Sequence, residues 1–352
     1  MTELVLGRER AGAAASPGTD ARRVLQLILA ATWLLDGLLQ YQPSMYSTMF
    51  GDMIGDGASG NPDFIASPIS WNAVLVAHHL VVLNTVFATF QLLLGLGIAY
   101  RPTVRVALAA SIAWSLGVWW FGEGLGGVLS GAANPVSGAP GAVTLYALLA
   151  VLLWPADREG VTAPFVAARA VGAPAARLLW LVLWGSLAYF ALTPANRAPQ
   201  ALHDMIVAMT GGEPGWVIGL ENQAAAALDH QGLAASVVLA VALTIIAAGV
   251  FLPPPLARGG LILAFVVAAF FWVFGQAFGQ IMTGGATDPN SAPLLALLAV
   301  AYWPSATVAG RAEGKSGLAE GTGDLAEGTG SPAEGTGSPA EGTGSPAEGE
   351  AG

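Results

Sequence analysis

Four side chains able to carry protons fall at one depth of this chain's apolar segments: Asp36, His78, His79 and Glu123. Carboxylates and imidazoles are the common groups of general acid–base chemistry. Ionisable residues inside apolar spans are costly enough to be functional candidates by default. Asp36 follows Arg23 by about 13 residues, roughly 20 Å of helical rise, which puts it in the outer half of a bilayer. His78 and His79 open the next apolar segment from that side, and Glu123 closes the one after it. Trp33, Trp114, Trp119 and Trp120 share the layer and offer flat faces to a ring. The pattern predicts a site in which Asp36, His78 and Glu123 handle protons while Trp33, His79, Trp119 and Trp120 line a slot for a flat ring. Such a ring needs an apolar slot with a few hydrogen-bonding partners for its polar edge. Other roles are open to the same residues. Interfacial histidines and tryptophans anchor membrane proteins, Asp36 could bond a neighbouring helix, and Glu123 could be solvated.

Metal and nucleotide chemistry find less to use. The chain has no cysteine, no His-x-x-x-His pair and no Glu-x-x-His pair. His78 and His79 would point about 100° apart on a helix, so no metal site is expected. The glycine run Gly122 to Gly127 follows an apolar helix rather than a strand, which removes the dinucleotide reading. No basic patch suggests nucleic acid.

The elements that must position these residues are set by composition. The chain has 352 residues, 54% hydrophobic and 10% charged, far fewer charges than the roughly 25% of soluble domains. Apolar runs at 24–41, 76–99, 104–123, 141–155, 176–193, 232–253, 259–281 and 292–304 give an all-α membrane protein of eight spans. With eight spans, twelve of the thirteen Lys and Arg residues fall on one side, and Arg197 alone on the other. Both termini are therefore expected in the cytoplasm of a multi-pass cell-membrane protein. The stretch after Arg22-Arg23 has the look of a leader, but its counterpart recurs at 177–194, so it is read as a span.

The halves repeat. Asp52-Met53-Ile54 returns as Asp204-Met205-Ile206, His78 falls on His230, and Phe121-Gly122-Glu123 matches Phe274-Gly275-Gln276. Each half holds an even number of spans, so both insert in the same orientation, as parallel repeats. The expected organisation is a cytoplasmic segment 1–22, a four-span bundle 23–155, a linker 156–176, a second bundle 177–304 and a tail 305–352. Long outer loops are expected to carry short helices lying on the membrane surface. The Gly122/Gly126 and Gly275/Gly279 pairs read as close helix contacts. In the second half His230 keeps its place while Gln276 replaces Glu123, leaving scaffold or a second, non-protonatable pocket in which His230 and Gln276 would contact the same ligand. The tail repeats AEGTGSP-like units, and its residues 313–352 hold eight acids against Lys315, so it carries most of the net charge of −10. Its composition predicts disorder.

The run from Gln91 through Gly95, Gly97 and Arg101 into the span from Val104 resembles the DoxX/DoxD-like membrane proteins, whose unit is a four-span bundle. The resemblance covers 23–155 and again 177–304, with Gln91 standing where that family usually has glutamate. It implies redox accessory work in a membrane, since members include the small subunit of a thiosulfate:quinone oxidoreductase. The leading expectation is a quinone-linked redox subunit or membrane anchor with an oxidoreductase partner in the bilayer. A small-molecule transporter and a non-enzymatic scaffold or assembly factor are the alternatives.

Overall fold

The computed structural model describes residues 20–156 and 163–305. The repeat tail, the N-terminal segment before Asp20 and residues 157–162 of the expected linker lie outside the described residues. The described chain is helical, with no strand among those residues. Its α-helices are α1 (Ala21–Leu39), α2 (Thr48–Asp56), α3 (Asp63–His78), α4 (Leu80–Ala99), α5 (Val104–Phe121) and α6 (Ala142–Leu152), then α7 (Ala168–Val171). They continue as α8 (Ala173–Ala191), α9 (Pro194–Arg197), α10 (Ala201–Ala208), α11 (Gly215–Ala227), α12 (Gly232–Gly249), α13 (Pro254–Phe270) and α14 (Ser291–Ala301).

Among the described residues, five segments are long and apolar enough to cross a membrane: Leu80–Ala99, Arg101–Phe121, Ala173–Ala191, Gly232–Gly249 and Pro254–Gly275. Their outer surfaces fit that setting, because Val82, Val106 and Val238 are exposed with no packing partner to account for them. Helix α1 matches them in length but carries Arg22, Arg23 and Asp36. The apolar runs expected at 141–155 and 292–304 are each an 11-residue helix, α6 and α14. Eleven residues rise about 17 Å, short of the roughly 30 Å of hydrocarbon. Irregular chain precedes each of them, and a proline, Pro155 or Pro304, follows close behind.

Both short helices are apolar all round, as a helix buried on every side must be. They pack on each other at the centre, with α5 against α6 and α13 against α14. One hydrophobic core runs unbroken from Leu25 to Tyr302 and includes Tyr146, Leu149, Leu294 and Leu298 from this central pair. A smaller cluster of Met45, Phe50, Ile54, Ile65, Ile69 and Val76 holds α2 and α3 together on their own. Short helices do occupy the long loops, as α2 and α3 in one half and α10 and α11 in the other.

The tightest long-helix contact joins α1 to α4. Gly95 makes it possible, since a Cβ there would lie 2.8 Å from the Ala30 carbonyl oxygen and 2.7 Å from Leu34. At its inner end the Arg23 guanidinium donates to the Ile98 carbonyl at 2.9 Å, closing the C-terminus of α4 with a cation. Gly95→Leu should force the two helices apart and cost about 1–3 kcal/mol. A lower Tm in detergent would register it, and an unchanged Tm would show that the contact is not a tight one.

Candidate functional site

The irregular segments before α6 and α14 determine where the chemistry sits. In each, a run of left-handed residues reverses the chain: Leu125 and Gly126 in the first, Phe278, Gly279 and Gln280 in the second. The two glycines at those positions were expected to bring helices together. Instead each admits the loop's own backbone, because a Cβ on Gly126 or Gly279 would strike the Pro140 or the Pro289 carbonyl. The same prolines accept from tryptophans, Trp119 Nε1 to Pro140 O at 2.7 Å and Trp272 Nε1 to Pro289 O at 3.2 Å.

Between the first of these loops, α1, α4, α5 and the α2–α3 segment lies a cavity of about 750 Å³. That falls within the roughly 300–1,000 Å³ of small-molecule sites. Its apolar wall includes Trp33, Phe50, Phe87 and Trp114, with the exposed Trp71 and Phe121 at the rim. Asn72 bridges that rim, donating to the Phe121 carbonyl at 3.0 Å. Trp33 is held by its bond to Ser111 Oγ at 3.0 Å and by the Tyr146 ring, 4.3 Å away between centroids. Trp114 packs on Phe87 and Phe90.

Three carboxyl groups line this cavity. Asp36 comes from α1 and is 2% exposed, Glu123 follows α5, and Asp288 arrives from the loop before α14. The Tyr146 hydroxyl lies beside Asp36, and Asp288 faces Asp36, Glu123 and Tyr146 electrostatically. Burial holds the Asp288 carboxyl above the usual carboxylate range. The Asn290 amide, at 2.7 Å, and the Thr287 hydroxyl, at 3.0 Å, pull it partly back. Glu123 faces the Val143 amide at the N-terminus of α6 and fills the space that a side chain on Gly141 would need. Four buried polar atoms of the lining have no hydrogen-bond partner: Asp36 Oδ1, Gln91 Oε1, Trp114 Nε1 and Glu123 Oε2. Since buried polar groups are normally satisfied, such a concentration on one cavity calls for bound water or a ligand.

Asp36, Glu123 and Trp33, expected from sequence, do meet here. His78 and His79 do not, being exposed at the break between α3 and α4, where His78 Nδ1 bonds the Val74 carbonyl at 2.8 Å. Trp120 is exposed outside the lining, and Trp119 supports the loop from behind. His230 is exposed beside Gln200. Gln276 is fully buried and saturated, donating to Val136 O and Ser291 Oγ and accepting from the Ala292 amide. Asp288 and Tyr146 were missed. Tyr146 is hidden in an apolar run, but Asp288-Pro-Asn ahead of an apolar helix is a start signal that could have drawn notice. Among the described residues, no three or more His, Cys, Asp or Glu side chains are grouped to hold a metal ion.

A second pair of acids sits away from the cavity lining. Glu213 and Glu221 are buried at the start and in the second turn of α11, and none of their four oxygens has a partner. Burial, and then the neighbouring Glu213, pushes Glu221 up to about 7.

No family model, curated protein or solved structure matches this chain.

The Glu221 shift has a definite sign. A carboxyl whose folded value is raised contributes stability that is full below its ordinary range and is lost as pH rises through about 7. The Tm should therefore fall between pH 5 and 8, and Glu221→Gln should flatten that fall. A slope identical in the variant would remove Glu221 as its source.

Proposed function

We propose that the chain is an integral membrane protein of eight apolar segments in two related four-segment units, α6 and α14 being the short fourth segment of each, which presents a quinone-binding cavity toward the outer side. The observation that carries this reading is the meeting of Asp36, Glu123 and Asp288 with Tyr146 on one aromatic-walled cavity. The matched order of elements supports the duplication: α1 packs on α4 as α8 packs on α12, and Trp119 and Trp272 make the same bond to a loop proline. The distribution of basic residues supports cytoplasmic termini. The resemblance to DoxX/DoxD-like proteins rests on weak motifs and supports the same assignment, a redox subunit or membrane anchor working with an oxidoreductase partner.

The residues fit a quinone. Trp33 and Trp114 provide flat faces, and the free Trp114 Nε1 is a donor for a ring carbonyl. A bound quinone supplies two-electron, two-proton redox chemistry. The carboxyls hold or accept protons at the ring oxygens, with Tyr146 between Asp36 and the interior. The α2–α3 wall excludes water from one side.

Lipid extraction of the purified protein, followed by chromatography, should recover quinone. A short-chain quinone should quench tryptophan fluorescence saturably. Asp36→Asn and Glu123→Gln should weaken binding about tenfold or more, the worth of a lost hydrogen bond to a charged or acidic group. His78→Ala should leave it unchanged. Protein that neither retains nor binds quinone would sink this reading.

A further inference from the structure

We propose that the same cavity binds a lipophilic organic cation, of the ammonium or phosphonium class, in exchange for protons. This goes beyond the quinone reading and does not rest on it.

The charge of the wall is one-sided. Asp36, Glu123 and Asp288 line the cavity, and no Lys, Arg or His does. Asp36 is 2% exposed with Oδ1 unpartnered, and Glu123 Oε2 is likewise buried and unpartnered. Buried carboxylates are tolerated when paired, and no cationic side chain of the lining pairs with these. Their balance must come from protons or from a cation that enters. The other titratable group facing them is Tyr146 on α6. Asp52, Asp56 and Asp63 on the α2–α3 segment are exposed, as are His78 and His79. Neither α4 nor α14, which pack on α1, adds an ionisable side chain to the lining.

The rest of the wall suits the same ligand. Tryptophan faces attract cations through the ring quadrupole, most strongly where water is excluded. Trp33 and Trp114, with Phe87 beside them, stand among the acids. An anion of equal size would meet the same rings and three carboxyls, and should be refused. Charge is conserved in the exchange, because each cation that enters the site replaces a proton that leaves a carboxyl for the solution. No bond other than O–H is made or broken.

The test uses full-length protein in phosphatidylcholine nanodiscs, with tetraphenylphosphonium and tetraphenylborate as ions of matched size and opposite charge. The phosphonium should bind saturably, about tenfold more tightly at pH 8 than at pH 6, and a pH dye in weak buffer should report proton release. Tetraphenylborate should not bind. Changing all three acids together, Asp36→Asn, Glu123→Gln and Asp288→Asn, should abolish proton release. Trp114→Phe, which keeps every acid, should weaken phosphonium binding while release per bound ion stays the same, and so separates loss of the site from loss of the fold. Equal binding of the two ions, or phosphonium binding without proton release, overturns the proposal. Quinone binding without phosphonium binding overturns it too and leaves the quinone reading standing; the reverse result removes the quinone reading alone.

Discussion

The structure depends on two helices that begin inside the protein. The N-termini of α6 and α14 lie at its centre, where their first amides must be satisfied by the protein itself. Asn290 Oδ1 accepts from the Ser291 amide at 2.6 Å, and Gln276 Oε1 from the Ala292 amide at 3.2 Å. Glu123 takes the corresponding place at Val143. Glu123 stands just past the last turn of α5, and Gln276 just past the π-helical turn Phe271–Gly275 that extends α13. The left-handed loops carry the chain from those side chains back to the buried helix starts.

From this shared constraint the halves diverge. In the second half the capping side chain is a neutral amide with every bond made, and Val136 of the first half closes over it. In the first half it is an acid with a free oxygen facing a cavity. A helix N-terminus favours a carboxylate by its dipole, so Glu123 is the more suitable group for its partner amide. Its second oxygen is the one left over. Asp288 then crosses from the second half into the same space, so the cavity belongs to both halves even though most of its wall comes from one.

Much of the helical plan was legible because it rests on hydropathy and on the 3.6-residue turn, which act locally. The offsets of about 152 that align segments of the two halves are a feature of the sequence itself. Asp36, Glu123 and Trp33 were found because depth along a helix can be counted from its charged end. The histidines were misplaced because depth is not direction. His78 and His79 stand at a suitable height but at a break between helices, and they turn outward. Asp288 escaped because its place is set by the packing of one half on the other, which no local pattern encodes. Half one has Ala139 near the matching position, so the repeat itself pointed away from it.

The cavity wall comes from two clusters. Trp33 and Tyr146 stand in the continuous core, with Asp36 buried near them. Phe50 and Ile54 belong to the smaller cluster of α2 and α3, which packs on α4 through Leu80, Leu83 and Phe87 and meets α5 through the Asn72 bond to the Phe121 carbonyl. Setting three carboxyls around one cavity without a cationic partner in the lining works against stability. A purely structural core would avoid such a grouping.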